Sequence, residues 1–235
     1  MPATALPLLP GQSRGPGLCL ASPRNAGRAS VRRAFPLATL SRRVSAALRK
    51  RAARIRLLLV DVDGVLTDGH IYLQSLPDGT AAEMKVFNAH DGAGLKLARL
   101  AGLRTGLITG RGSAAVARRA QELEMDFVYQ TPGGKLGAYQ DILRRAGLQD
   151  GDVAYIGDDL PDLPVLERVG LAVAVANAVP EVKTAAQFIT QRSGGAGAVR
   201  EVVELVLKSQ GRWAKAIRTA DASPEARTGS GRDPV

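Results

Sequence analysis

From Ile55 onward, short apolar runs alternate with longer amphipathic ones, and few folds accept that order. Strand-length runs fall at 56–60, 103–108, 127–129, 153–156, 171–174 and 188–190. Between them, 91–100, 113–123, 135–146, 161–168 and 198–210 have helical character; in the first, Leu95, Leu97, Ala98 and Leu100 supply the apolar surface. Gly147 is placed to end the third of these. A strand followed by a helix, repeated, sets the strands parallel and lays helices on both faces of the sheet. The expectation is an α/β fold, a doubly wound parallel sheet. Two further segments, 71–73 and 84–87, alternate in the manner of a hairpin joined through Pro77-Asp78-Gly79. No internal repeat is evident.

The chain's formal net charge of +10 suggests a nucleic-acid or membrane partner until its distribution is considered. Twelve of the 32 basic residues precede Asp61, with no Asp or Glu among them, leaving 20 basic against 22 acidic residues in the remainder. The globular part is near neutral, and the basicity belongs to an extension. We therefore expect a basic, unstructured segment over 1–45, a catalytic domain over 46–212 and a loose tail over 213–235. Within the leading stretch, 41–54 has the makings of a short basic helix. The extension has three readings: an Arg-rich transit peptide, a nucleic-acid-binding arm, or a dispensable leader. No apolar run approaches the roughly 20 residues that span a bilayer. The single cysteine, Cys19, excludes an intrachain disulfide and fits a cytoplasmic setting.

In an open parallel sheet, ligands bind beyond the carboxyl ends of the strands. The residues there are Asp61-Val62-Asp63-Gly64, then Thr109-Gly110-Arg111, then Lys135 across a Gly-rich loop, then Gly157-Asp158-Asp159 with Asp162 close behind. Taken singly, each is a solvated turn, a helix cap or an exposed first-turn lysine. Four of them in this order, each at a strand end, exceed what turn chemistry requires. A carboxylate that attacks a phosphate dianion meets like-charge repulsion, so both partners need neutralising. Asp61 and Asp158 offer carboxylates to a hard cation such as Mg2+, and the Asp63 backbone carbonyl offers a third oxygen. Lys135 adds a fixed positive charge, while Thr109 and Gly110 donate to phosphoryl oxygens. Asp63 is positioned to protonate a departing alkoxide and later to deprotonate water.

The order Asp-x-Asp-Gly, Thr-Gly, Lys, Gly-Asp-Asp resembles the haloacid dehalogenase superfamily over residues 54–210. The resemblance implies Asp61 as nucleophile, Asp63 as acid/base, Thr109 and Lys135 as phosphate binders and Asp158 as metal ligand, with Asp159 and Asp162 supporting the metal or its waters. The second aspartate, Asp63, is the phosphatase pattern. The interval between Asp63 and Thr109 holds only a hairpin and one helix, which leaves no room for a large cap domain. The stretches Asp61–Gly69, Phe87–Gly94, Gly157–Pro164 and Gly194–Glu201 are similar to capless phosphatases that act on an eight-carbon sugar-acid phosphate in lipopolysaccharide synthesis. That similarity implies a Mg2+-dependent homotetramer, with Asn88, Ala89, His90, Asp91, Gly92 and Arg111 at the sugar acid. Where that family often has arginine, this chain has Ala196. Two other readings remain at this point: a phosphatase for a nine-carbon sialic-type 9-phosphate, and a non-catalytic oligomerisation module.

Overall fold

The computed structural model describes residues 44–132 and 134–222. Six parallel strands form one sheet: β1 (Leu57–Val60), β4 (Arg104–Thr109), β5 (Phe127–Gln130), β6 (Val153–Gly157), β7 (Leu171–Ala174) and β8 (Phe188–Ile189), in the order β5-β4-β1-β6-β7-β8. A separate antiparallel hairpin pairs β2 (Tyr72–Ser75) with β3 (Ala81–Met84). Helices α1 (Ala46–Ala53), α2 (Ala89–Leu100), α7 (Ala198–Ser209) and α8 (Trp213–Ala222) pack on one another as one layer. The opposite layer contains α4 (Lys135–Ala146), α5 (Leu163–Leu166) and α6 (Pro180–Ala185); α3 (Ala114–Glu122) links β4 to β5.

Central position explains the sequence of β1. Leu57, Leu58, Leu59 and Val60 are all 0% exposed, because β4 and β6 flank the strand and helices cover both faces. A strand buried on both faces reads as an unbroken apolar run. The chain builds outward from β1 through β4 to β5, then returns to build the other side through β6, β7 and β8. The strand order thus reverses at β1, and a crevice opens there beyond the carboxyl ends. Cap chemistry sets the helix limits: the Ser45 side chain accepts from Leu48 N–H at 3.1 Å to start α1, and Gly147 takes the left-handed conformation, φ 62°, that ends α4.

Three expectations need correction. No helix is foreseen between 175 and 187, yet α6 begins at Pro180, a residue preorganised for a first helical turn. The chain beyond Arg212 does not become a loose tail at once. It forms α8, anchored by buried Ala216 and by Trp213, whose ring lies under the Arg200 guanidinium (5.0 Å) and the Lys208 ammonium (5.2 Å). The hairpin strands lie nearer the turn than 71–73 and 84–87: β2 runs on to Ser75 and β3 starts at Ala81, so that Lys85, Val86 and Phe87 belong to the loop after β3. The expectations for 1–43 and 223–235 lie outside the described residues. Among the described residues, no helix is long and apolar enough to cross a membrane.

Candidate active site

Asp61 follows the last residue of β1, and its own N–H donates to the Ile156 carbonyl at 3.0 Å, so the sheet ladder fixes where its side chain emerges. The carboxylate is 6% exposed, and its Oδ1 lies 2.8 Å from Lys135 Nζ. Lys135 is the first residue of α4, itself 6% exposed, and the same ammonium reaches Asp162 Oδ1 at 2.6 Å. Thr109 closes β4, the strand paired with β1, and is buried. Gly110 and Arg111, next along, are exposed at the rim.

Asp158 comes off the neighbouring strand β6, and Asp61, Asp158 and Asp162 each place a carboxylate oxygen within 4.8 Å of the others. Asp162 organises the cluster. It is 0% exposed and accepts from Lys135 Nζ, from the Tyr155 hydroxyl at 2.6 Å, and from the Asp158 and Asp159 N–H groups at 3.0 and 3.3 Å. Asp158 is less well provided for: its buried Oδ1 has no hydrogen-bond partner among the described residues. Burial pushes the Asp61 carboxyl up to about 6; Asp162 adds to this and Lys135 opposes it. Burial, followed by the charges on Asp61 and Asp162, pushes Asp158 up to about 8. Three carboxylates facing one ammonium carry an excess of negative charge, and every donor in the cluster is an oxygen. That donor set fits a hard divalent cation such as magnesium and lacks the nitrogen or sulfur that zinc prefers.

The loop that carries Asp61 and Asp63 is held at several points. Thr67 Oγ1 accepts from Gly64 and Gly69 N–H at 3.4 and 3.3 Å and donates to the Val62 carbonyl at 3.3 Å. Gly64 has φ +90°, and a Cβ built there would stand 2.0 Å from Asp158 Oδ2, so glycine alone permits both the turn and the carboxylate. Gly194 lies so close to this loop that its Cβ would meet the Gly64 carbonyl oxygen at 1.7 Å. Asp63 points elsewhere from Asp61: its carboxylate pairs with Lys85 and stands outside the three-carboxylate cluster.

The segment 88–92, expected at the sugar acid, is occupied with the fold. Asp91 is 1% exposed and accepts from Gly197 N–H at 3.2 Å and Arg200 N–H at 2.8 Å, capping α7 from another helix. Asn88 Oδ1 caps α2 by accepting from His90 N–H at 2.8 Å, and its Nδ2 donates to the Gly195 carbonyl at 3.1 Å. Gly92 is buried against Arg119. Of this set, Ala89 and His90 are exposed at the start of α2. Arg111 reaches Glu83 of the hairpin at 3.2 Å. Asp159 is exposed and caps the turn that follows, accepting from Leu160 N–H at 2.8 Å.

Sequence reasoning missed Lys85 and Tyr155. The Glu-x-Lys spacing at Glu83 and Lys85 puts both side chains on one side of an extended segment, which was a usable signal. Tyr155 offered none, because a tyrosine in an apolar strand has the appearance of core.

A family profile described as haloacid dehalogenase-like hydrolase matches residues 128–202. Proteins named 3-deoxy-D-manno-octulosonate 8-phosphate phosphatase from Escherichia coli K12 and Salmonella typhi are 44% and 43% identical over 176 residues, 75% of this chain and 92% of each of theirs. Among solved structures, the phosphatase of that name from Yersinia pestis is 43% identical with a TM-score of 0.69, covering 73% of this chain and 90% of that one. Its counterpart from Moraxella catarrhalis, in complex with magnesium, phosphate and the sugar acid, is 40% identical with a TM-score of 0.69, covering 73% and 97%. With the Asp61 loop, the threonine, the lysine and the acidic pair at the carboxyl ends of the strands, and with these relatives, the chain belongs to the haloacid dehalogenase-like hydrolases and is a phosphatase.

Proposed function

We propose that this phosphatase is magnesium-dependent and converts 3-deoxy-D-manno-octulosonate 8-phosphate to the free sugar acid, through a phosphoryl group carried on Asp61. The observation that carries this reading is the buried Asp61 carboxylate at the switch point of the sheet, 2.8 Å from Lys135 and beside two more carboxylates. The named relatives in Escherichia coli and Salmonella typhi support the choice of sugar acid. The pathway is lipopolysaccharide synthesis, and the setting cytoplasmic.

Asp61 attacks phosphorus, and the ester P–O bond breaks as Asp63 gives its proton to the departing alkoxide. Water then loses a proton to Asp63 and attacks phosphorus, the bond to Asp61 breaks, and phosphate leaves with both aspartates restored. Lys135, the Thr109 hydroxyl and Gly110 N–H bind the phosphoryl oxygens as charge builds on them. Asp61, the Asp63 carbonyl and Asp158 would hold the metal, which supplies positive charge between carboxylate and phosphate. Asp162 acts on this group indirectly, by orienting Lys135 and Asp158. Arg111, exposed at the rim and paired with Glu83, offers a cation to the carboxylate of the sugar acid.

The hairpin supports a homo-oligomer, the tetramer of the resemblance. Ile71, Leu73, Met84 and Val86 are each more than half exposed, and a two-stranded ribbon is marginal in water without a surface to lie on. The occupant we assign is a second copy of this chain, which would also close the open site.

Phosphate release from a panel of sugar phosphates, with and without magnesium, tests the reading. The eight-carbon acid 8-phosphate is expected to be the best substrate, and only with metal. Preference for a nine-carbon 9-phosphate would move the assignment to the sialic-type sugars, and no release from any member would overturn it.

A further inference from the structure

The two aspartates of the nucleophile loop have separate lysines. Asp61 is paired with Lys135, the first residue of α4. Asp63 is paired with Lys85, which arrives from the hairpin, 22 positions along the chain. The Lys85 side chain is only 3% exposed, unusual for a lysine. Its ammonium also lies 3.4 Å from Glu83, and Glu83 in turn accepts from Arg111 at 3.2 Å. A continuous chain of opposite charges therefore runs from Asp63 through the foot of the hairpin to Arg111, which follows Thr109 and Gly110 at the end of β4.

We propose that Lys85 is a positioning residue for Asp63: it holds that carboxylate apart from the Asp61–Asp158–Asp162 cluster and aimed at the oxygen of the leaving group. Without Lys85, nothing in the described contacts of Asp63 fixes its side chain, and its freedom includes the electropositive neighbourhood of any bound metal. The claim rests on the acid/base role given to Asp63 above, and deepens it by naming what keeps Asp63 available. It also gives the hairpin a catalytic consequence, because the segment that exposes apolar surface for a second copy is the segment that delivers Lys85.

A lysine that only seats the hairpin would slow every substrate alike when lost. A lysine that aims the acid slows only those substrates whose leaving group needs a proton. p-Nitrophenol leaves readily without one, whereas a sugar alkoxide does not. The experiment therefore compares first-turnover release of p-nitrophenol from p-nitrophenyl phosphate with alcohol release from an alkyl sugar phosphate, in wild type, Lys85→Met, Lys85→Arg, Asp63→Asn and the Lys85→Met/Asp63→Asn pair. First-turnover rates isolate the step in which Asp63 acts as acid.

For Lys85→Met we expect alcohol release to fall ~10–100-fold, mainly in kcat rather than KM, with p-nitrophenol release within ~3-fold of wild type. Lys85→Arg should recover part of the loss, and the double variant should be no worse than Asp63→Asn alone, since the two act through one group. An equal loss on both substrates, no loss on either, or full additivity in the double variant would overturn the proposal. Lys85→Gln, which retains a donor without the charge, is the second variant should the methionine one melt early, and the same ratio decides. That ratio is defined for any alkyl phosphate the enzyme accepts, so it stands or falls apart from the choice of eight-carbon acid.

Discussion

Replacing Asp158 with asparagine should destroy activity and yet stabilise the metal-free protein. Its carboxylate shares a space with two others whose oxygens lie within 4.8 Å, and one of its own buried oxygens has no hydrogen-bond partner among the described residues. At an effective dielectric near 20, each such like-charge pair costs about 3.5 kcal/mol at that distance before Lys135 and solvent reduce it. Titration sets a ceiling on the sum. The carboxyl is raised from 3.8 to about 8, chiefly by burial, so at pH 7 the folded state pays at most about 4 kcal/mol relative to the unfolded chain. Partial exposure of the group halves that to about 2 kcal/mol, or a rise of about 4–8 °C in Tm for a domain of this size. The sign with pH follows from the direction of the shift. A carboxyl with a raised folded value binds its proton more tightly in the folded state, so metal-free wild type should lose stability as pH rises from about 4 to about 8. Asp158→Asn should flatten that slope. Differential scanning calorimetry on both proteins, in chelator and in magnesium, reads all of this. Wild type should gain Tm with magnesium and the variant should not. A variant that is less stable than wild type in chelator, or that still gains from magnesium, would refute the charge-crowding account of the site.

Four further outcomes are expected. Gly64→Ala sets a Cβ 2.0 Å from Asp158 Oδ2 at φ +90°, so it should abolish the magnesium-dependent gain in Tm and cost about 1–3 kcal/mol of stability; an unchanged magnesium response in the melt would contradict this. Asp91→Ala removes the acceptor for Gly197 and Arg200 N–H, and urea denaturation should show a loss of about 3 kcal/mol, with KM for any phosphate ester nearly unchanged. Leu73→Asp puts a charge on the exposed hairpin, where the native side chain is 66% exposed, and light scattering should show the oligomer dissociating while each subunit stays folded. Removing residues 1–43, which leaves Val44 against the core and the Ser45 cap in place, should preserve phosphatase activity at low and at physiological salt.

The middle of the sheet was legible because β1, β6 and β7 are buried along their whole length. Leu57–Val60 and Leu171–Ala174 have no polar residue to blur their limits, and the polar residue that follows β1 is necessarily at the carboxyl rim. Asp61, Thr109, Lys135 and Asp158 could be placed together on that ground alone. Residues whose partners are distant in sequence were not legible in the same way. Asp91 bonds to a backbone 109 positions away, and the run Asn88–Gly92 has the polarity of a ligand loop although Asn88 and Asp91 hold the 194–200 segment in place. Spacing could have paired Lys85 with Glu83, but the burial of Lys85 depends on its reach to Asp63, 22 positions away. The α8 segment failed for a related reason: it buries little, and the apolar side chains it packs on the core are Trp213, Ala216 and Ala220.

The central claim is a phosphoryl group on Asp61, and the most direct measurement is to catch it there. Wild-type enzyme turning over 3-deoxy-D-manno-octulosonate 8-phosphate in magnesium is quenched in acid, digested and mapped by mass spectrometry. The account predicts a phosphorylated peptide containing Leu57–Val60 and Asp61, with the group on Asp61 and absent when magnesium is chelated before substrate is added. Steady phosphate release with that peptide unmodified, or with the phosphoryl group on another residue, would contradict it.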